Sequence, residues 1–177
     1  MTANRSTAQK IGRGRFGDSI RPGDSSGSIP SIGEIGLNQF ATYLMNRVAA
    51  TWNAEMQSAL RDYDLTTVKM RTLAVLSITP GLTVNELALF TVTEQSTMSR
   101  MLDAMEEQGL IRRQAREGDL RVREVHPTSE GRKAFSRFWP TMYERFTKLF
   151  RGVGEDEYQA FIVTLHKLIQ NQQAADA

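Results

Sequence analysis

Apolar residues fall into two regimes along the chain. Residues 1–33 have almost no apolar periodicity and hold six Gly, six Ser and two Pro, which reads as a mobile, solvated tail. Within it, Gly12-Arg13-Gly14-Arg15-Phe16-Gly17 has the composition of a basic arm able to enter a minor groove; a solvated extension is the plainer reading. From about Glu34 to Tyr63 the pattern turns helical. Leu37, Phe40, Leu44, Val48, Trp52, Met56 and Leu60 recur at spacings of three and four, the period of one helix face. A second line through Tyr43, Met45 and Ala49 widens the apolar arc. One stripe suffices for a helix lying on a single domain, so the excess predicts burial on two sides, as an interface between two copies would provide.

Further helices follow from their punctuation. Thr66 or Thr67 can cap a helix running to about Ile78, which Pro80-Gly81 ends. Thr83-Val84-Asn85-Glu86 is a capping-box pattern, in which hydroxyl and carboxylate each satisfy an orphan N–H; it predicts a short helix through Phe90. Thr93 caps the next, Glu94 to about Gln108, with Met98, Met101, Leu102 and Met105 on one face. Gly109 suits its end, because it tolerates positive φ. Leu110 to Val125 reads as a β-hairpin turning near Glu117-Gly118. After Pro127, Thr128 or Ser129 starts a helix striped by Phe135, Phe138, Trp139, Met142, Phe146 and Phe150. Pro140 is expected to kink or break it by orphaning the Ser136 carbonyl. A last helix, about Glu155 to Gln172, carries Tyr158, Phe161, Ile162, Leu165, Leu168 and Ile169.

The pair 83–90 and 94–108, joined by a three-residue turn, forms a helix-turn-helix candidate. In that motif the second helix enters the major groove and reads with its N-terminal residues. Here these are Gln95, Ser96, Thr97, Ser99 and Arg100: small hydrogen-bonding groups suited to base edges and one Arg for guanine or phosphate. Two packed helices with solvated polar faces would look the same. The hairpin that follows separates the readings. A helix-turn-helix with a two-stranded wing is a winged helix, and an Arg-rich wing tip can reach the minor groove or flanking phosphates. Over residues 112–123 stand five Arg and two acids, a local charge of +3, although the whole chain carries only +2.

At this point the chain resembles the multiple antibiotic resistance regulator (MarR) family, over roughly residues 37–172. Asp119-Leu120-Arg121 followed by Pro127-Thr128-Ser129-Glu130-Gly131 resembles the family's wing signature, Asp-x-Arg then Leu-Thr-x-x-Gly. The run from Ser99 to Ile111 resembles its recognition helix entering the first wing strand. Pro127 replaces the usual Leu, and Arg123 stands where the family often has an apolar residue. The resemblance implies an obligate homodimer joined by N- and C-terminal helices. It also implies that Arg121 enters the minor groove while Asp119 orients an arginine by a salt bridge, which would reduce the entropy lost on binding. The expected fold class is mainly α with a small β-hairpin wing. A winged helix-turn-helix domain at 64–127 would lie between a dimerisation helix at 34–63 and C-terminal dimerisation helices at 128–177. DNA-binding candidates are the five residues of the recognition helix with Arg116, Asp119, Arg121 and Arg123.

The expected function is a ligand-responsive repressor that binds a palindromic operator in double-stranded DNA as a homodimer. The family resemblance implies release by a small aromatic or phenolic effector, bound between dimer helices and winged domain. Tyr43, Arg47, Trp52 and Met70 are candidates to line such a pocket, with Arg47 pairing a carboxylate or phenolate; the alternative is core aromatics and a surface charge. A different class of function is a winged-helix module whose basic hairpin binds an acidic protein partner. The chain has no Cys, which excludes disulfides and thiol-based oxidant sensing. The two histidines lie 40 positions apart, no His-based metal site is expected, and a carboxylate ion site stays open. With no Ser-His-acid cluster and no phosphate loop, neither an enzyme nor a cofactor is expected. No apolar run spans a membrane and no signal segment is evident, so the expected location is cytoplasmic.

Overall fold

The computed structural model describes residues 32–175. Most of the predicted tail, including Gly12–Gly17, lies outside them; Ile32 and Gly33 belong to a helical turn, Ile32–Ile35. Six helices and one hairpin follow: α1 (Ala41–Leu60), a 3-10 turn (Arg61–Tyr63), α2 (Thr67–Ile78), α3 (Val84–Thr91), α4 (Gln95–Glu107), β1 (Ile111–Arg116), β2 (Asp119–Pro127), α5 (Ser129–Leu149) and α6 (Glu155–Ala175). The order matches the sequence expectation and the fold is mainly helical with a two-stranded wing. The chain forms two compact units that divide between Thr67 and Val68.

The first predicted helix is shorter than its apolar pattern. Gly36 takes φ +72°, which interrupts the helical path, and α1 starts only at Ala41 with no side-chain cap at Phe40. Met56, Ala59 and Leu60 are buried, whereas Leu44, Met45 and Val48 are exposed. The helix ends in a 3-10 turn and Asp64 in the left-handed region.

In the second unit the core is assembled from Leu73 and Leu76 of α2, Leu87 of α3, Met98, Leu102 and Met105 of α4, Ile111, Val125 and Phe138, all at most 2% exposed. Each such large side chain stabilises the unit by about 1.5–3 kcal/mol when fully buried. The wing is tied to the segment before α3: Gly81 N–H donates to the Val125 carbonyl at 3.0 Å, and Val125 N–H to Leu82 at 2.9 Å. A third chain segment thus steadies the base of the hairpin.

α5 runs without a break through Pro140. Tilted ring contacts flank and cross the proline, Phe135 to Trp139 at 5.8 Å before it and Trp139 to Tyr143 at 5.9 Å across it. The ladder continues through Phe146 and Phe150 to Tyr158 of α6, with centroids 5.0–6.2 Å apart.

Candidate nucleic-acid interface

The reading helix is set by what precedes it. Thr83 caps α3 as the sequence predicts: its oxygen accepts from Glu86 N–H at 3.3 Å, and Glu86 accepts from Thr83 N–H at 2.7 Å. Those bonds from Thr83 hold the Glu86 carboxyl below its ordinary pKa. α3 ends at Val92, which adopts φ +53°, a costly conformation for a β-branched residue. Its N–H and that of Thr93 close back on Leu89 and Ala88. Thr93 does not cap α4. Its hydroxyl donates to the Thr91 carbonyl at 3.3 Å, and Glu94 occupies the cap position without a side-chain cap bond.

Met98, Leu102 and Met105 anchor α4 inward. The opposite face then presents Gln95, Ser96, Thr97, Ser99 and Arg100 to solvent. Arg100 Nε donates to the Ser96 carbonyl at 3.3 Å, so its guanidinium lies along the helix toward the N-terminal end.

The hairpin pairs Ile111 with Pro127 through Ala115 with Arg123, with an irregularity between Ala115 and Arg116. Its tip is the two-residue turn Glu117-Gly118, and Gly118 supplies the required φ of +84°. The five arginines separate here. Arg112 donates to Gln114. Arg113 turns onto α4, where Nη1 lies 2.6 Å from Asp103 and 3.2 Å from Glu106. Arg116 Nε meets Glu124 Oε1 at 2.6 Å, and the other Glu124 oxygen lies 3.4 Å from His126 Nε2. That contact with Arg116 holds the Glu124 carboxyl below its ordinary pKa and raises that of Arg116. Arg121 and Arg123 are exposed and make no ion pair among the described residues.

Asp119 behaves differently from the salt bridge that the family resemblance implies. Its carboxylate accepts the backbone N–H of Arg121 at 3.1 Å and forms no ion pair with an arginine among the described residues. The two-residue turn makes Asp119 the first residue of β2, where a short acid reaches the N–H two positions on. Asp119 therefore shapes the strand that carries Arg121 and leaves that guanidinium free to point outward.

Gly131 explains the last residue of the wing signature. A Cβ there would lie 2.0 Å from the Leu110 carbonyl oxygen. The start of α5 thus abuts the point where α4 passes into β1. Thr128 locks the junction: its hydroxyl donates to the Gly109 carbonyl at 2.6 Å and accepts from Gly131 N–H at 3.1 Å.

A crystal structure of a MarR family transcriptional regulator from Silicibacter pomeroyi superposes with a TM-score of 0.76; it is 41% identical and covers 80% of this chain and 96% of its own. The chain belongs to the MarR family. The family model itself matches residues 63–121, and the protein is a transcriptional regulator, not an enzyme. The HTH-type transcriptional repressor IacR of Pseudomonas putida is 25% identical over 142 residues, covering 80% of this chain and 85% of the repressor. A MarR family protein of Mycobacterium tuberculosis, solved in complex with p-aminosalicylic acid, is 26% identical with a TM-score of 0.59, covering 72% of this chain and 96% of its own. Among the described residues, no helix is long and apolar enough to cross a membrane and no cluster of His, Cys, Asp or Glu could hold a metal ion.

Of the predicted effector contacts, Tyr43 and Arg47 come together on α1, with Arg47 Cζ 5.8 Å from the ring centroid. Trp52 is half-buried on α1, and Met70 is a buried residue of the second unit. None of the four lines the apolar groove of about 470 Å³ within the second unit, which is formed by Ala74, Ile78, Phe135, Ser136, Trp139 and Met142. The 135/139/142 spacing on α5 was the sequence signal for this groove. It reads equally as a core stripe, and only packing against α2 shows it open.

Proposed function

We propose that this regulator is a repressor that binds a palindromic operator as a homodimer and is released by a small aromatic or phenolic effector. One observation carries the DNA reading: a recognition helix with an exposed polar N-terminal end lies beside a wing on which Arg121 and Arg123 are exposed and form no ion pair among the described residues. Gln95, Ser96, Thr97, Ser99 and Arg100 take base edges and adjacent phosphates; Arg121 and Arg123 reach the minor groove or its flanking phosphates. Arg116 contributes chiefly by shaping the wing, since Glu124 already engages it. Asp119 acts on the strand and not on the DNA.

Dimerisation is supported by the exposed apolar residues of α1, Leu44, Met45 and Val48, and of α6, Phe161, Val163, Leu168 and Ile169. Such a density of large apolar side chains calls for a partner surface. The segments 34–63 and 128–177 are its natural contributors. The α2–α5 groove is the proposed effector site, because its lining is apolar apart from Ser136 and includes Phe135 and Trp139, which suits a planar ring. The mycobacterial relative's complex with p-aminosalicylic acid supports an aromatic acid as the first probe. Arg47, beside Tyr43 on α1, is a second candidate to meet an anionic effector, tested by Arg47→Ala. An effector can act only through differential affinity for the two arrangements of the winged domains.

The test is selection of duplexes from a random-sequence pool by the full-length protein. A specific regulator enriches a palindrome with half-sites about one helical turn apart. Equal affinity for all duplexes would reject the operator reading and favour an acidic protein as the partner of the wing.

A further inference from the structure

We propose that Arg113 is a positioning residue that fixes the recognition helix relative to the wing, and so sets operator specificity without touching DNA; this rests on the DNA-binding reading above. Its contacts span much of α4. The guanidinium meets Asp103 Oδ1 at 2.6 Å and Glu106 Oε2 at 3.2 Å, and reaches the Ser99 carbonyl at 3.3 Å. The other Glu106 oxygen accepts the Arg113 backbone N–H at 2.7 Å. From Glu106 back to Ser99 is about 10 Å of helix at 1.5 Å per residue. One side chain of β1 therefore holds α4 from its last turn to the end that reads bases.

Charge argues against a direct phosphate contact. Two carboxylates face one guanidinium, so the cluster is net negative and would repel an approaching phosphate. The Arg113 side chain is only 21% exposed, and its planar fork is already divided among three acceptors on the helix. Without its guanidinium the wing loses its ties to Asp103 and to Ser99 near the reading end of α4, and keeps those at the last turn, where Glu106 still accepts the Arg113 backbone N–H and Thr128 still holds Gly109. A recognition helix free to tilt about that joint would lose base contacts while keeping the general attraction of the wing for phosphate.

The experiment uses full-length protein with two duplexes: the one selected by the wild type from the random pool, and a scrambled duplex of equal composition. Affinities are measured by fluorescence anisotropy over a range of salt. Arg113→Ala is expected to weaken operator binding roughly tenfold or more, with scrambled-duplex affinity changed less than about twofold and an unaltered salt slope. Glu106→Gln is expected to weaken operator binding too, although it removes a negative charge, and the double variant should add little to either single one. Arg113→Lys keeps the charge but loses the fork, so it should lie between wild type and Arg113→Ala; it carries the test if the alanine variant does not fold. Equal weakening on both duplexes with a salt slope lower by about one would mean a phosphate contact and overturn the proposal. Unchanged operator affinity, or tighter binding by Glu106→Gln, would overturn it as well. A wild type that fails to distinguish the two duplexes would remove the DNA-binding reading itself, whereas a discriminating wild type with equally discriminating variants sinks only the role of Arg113.

Discussion

Replacing Gly131 with Ala adds one methyl group at the junction of recognition helix, wing and α5. The added carbon would sit 2.0 Å from the Leu110 carbonyl oxygen, and ordinary contact begins at 3.4 Å, so the backbones must part by about 1.4 Å. The obstacle is main chain, which cannot swing aside as a side chain would. Parting them strains the bonds that lock the junction, Thr128 N–H to Leu110 at 3.0 Å and the Thr128 hydroxyl to Gly109 at 2.6 Å. Overpacking costs about 1–3 kcal/mol, and each weakened hydrogen bond about 1 kcal/mol. Alanine recovers about 1 kcal/mol through its better helix propensity. The net expectation is a loss of about 2–4 kcal/mol. Urea unfolding at fixed protein concentration measures it, the concentration being held because the stability of the proposed dimer would depend on it. Ser129→Ala, an exposed change in the same turn, should stay within about 0.5 kcal/mol. If Gly131→Ala is as stable as wild type, the close approach of α5 to Leu110 is not a feature of the folded protein. If it is more stable, helix propensity outweighs packing there and the explanation of the signature glycine is wrong.

Arg121→Ala should cost about 1–3 kcal/mol of operator binding and lower the salt slope by about one; unchanged binding at moderate salt would reject the wing assignment. The wing ion pair carries a pH signature. Glu124 titrates below its ordinary range because Arg116 stabilises its charged form, so its contribution is complete above the unfolded-state pKa and is lost as pH falls through the lower folded value. The melting temperature of wild type should therefore exceed that of Glu124→Gln at neutral pH, and the gap should close on acidification; a gap constant down to about pH 3 would contradict the assigned pairing. Trp139→Ala should weaken operator release by p-aminosalicylic acid as the probe and remove the quenching that the acid causes in tryptophan emission, with Trp52 as the remaining fluorophore. Release at unaltered concentrations would exclude the α2–α5 groove.

Much of the site was legible because local chemistry fixes it. The capping box at Thr83 and Glu86, the left-handed glycine in the wing turn and the Met98–Leu102–Met105 face each involve residues within a few positions of one another. Arginine roles were not legible in this way. The +3 of residues 112–123 counts only acids inside that window, whereas Arg113 is answered by Asp103 and Glu106 and Arg116 by Glu124. Ser99, Asp103 and Glu106 at i, i+4 and i+7 did mark an acid-bearing face of α4, but which arginine would meet it depends on the path of the hairpin. The failed cap at Thr93 has a similar cause: the strained turn at Val92 aims its hydroxyl back at Thr91. The apolar pattern of the first helix overran its length because Leu37 and Phe40 keep the helical spacing while the backbone there is a turn that becomes α1 only at Ala41.

The sequence by itself determined the element order, the helix pair with its outward polar end, and the position of a basic hairpin after it. Periodicity, caps and turn residues act over one or two turns, and that range suffices for these features. Only the tertiary structure decided which charges remain available to a partner. Ion pairing depends on distances across elements, and three carboxylates from α4 and β2 engage two of the five arginines. Arg121 and Arg123 are left exposed, and Arg113, which in the sequence had only charge and location in its favour, is turned onto Asp103, Glu106 and the Ser99 carbonyl of α4.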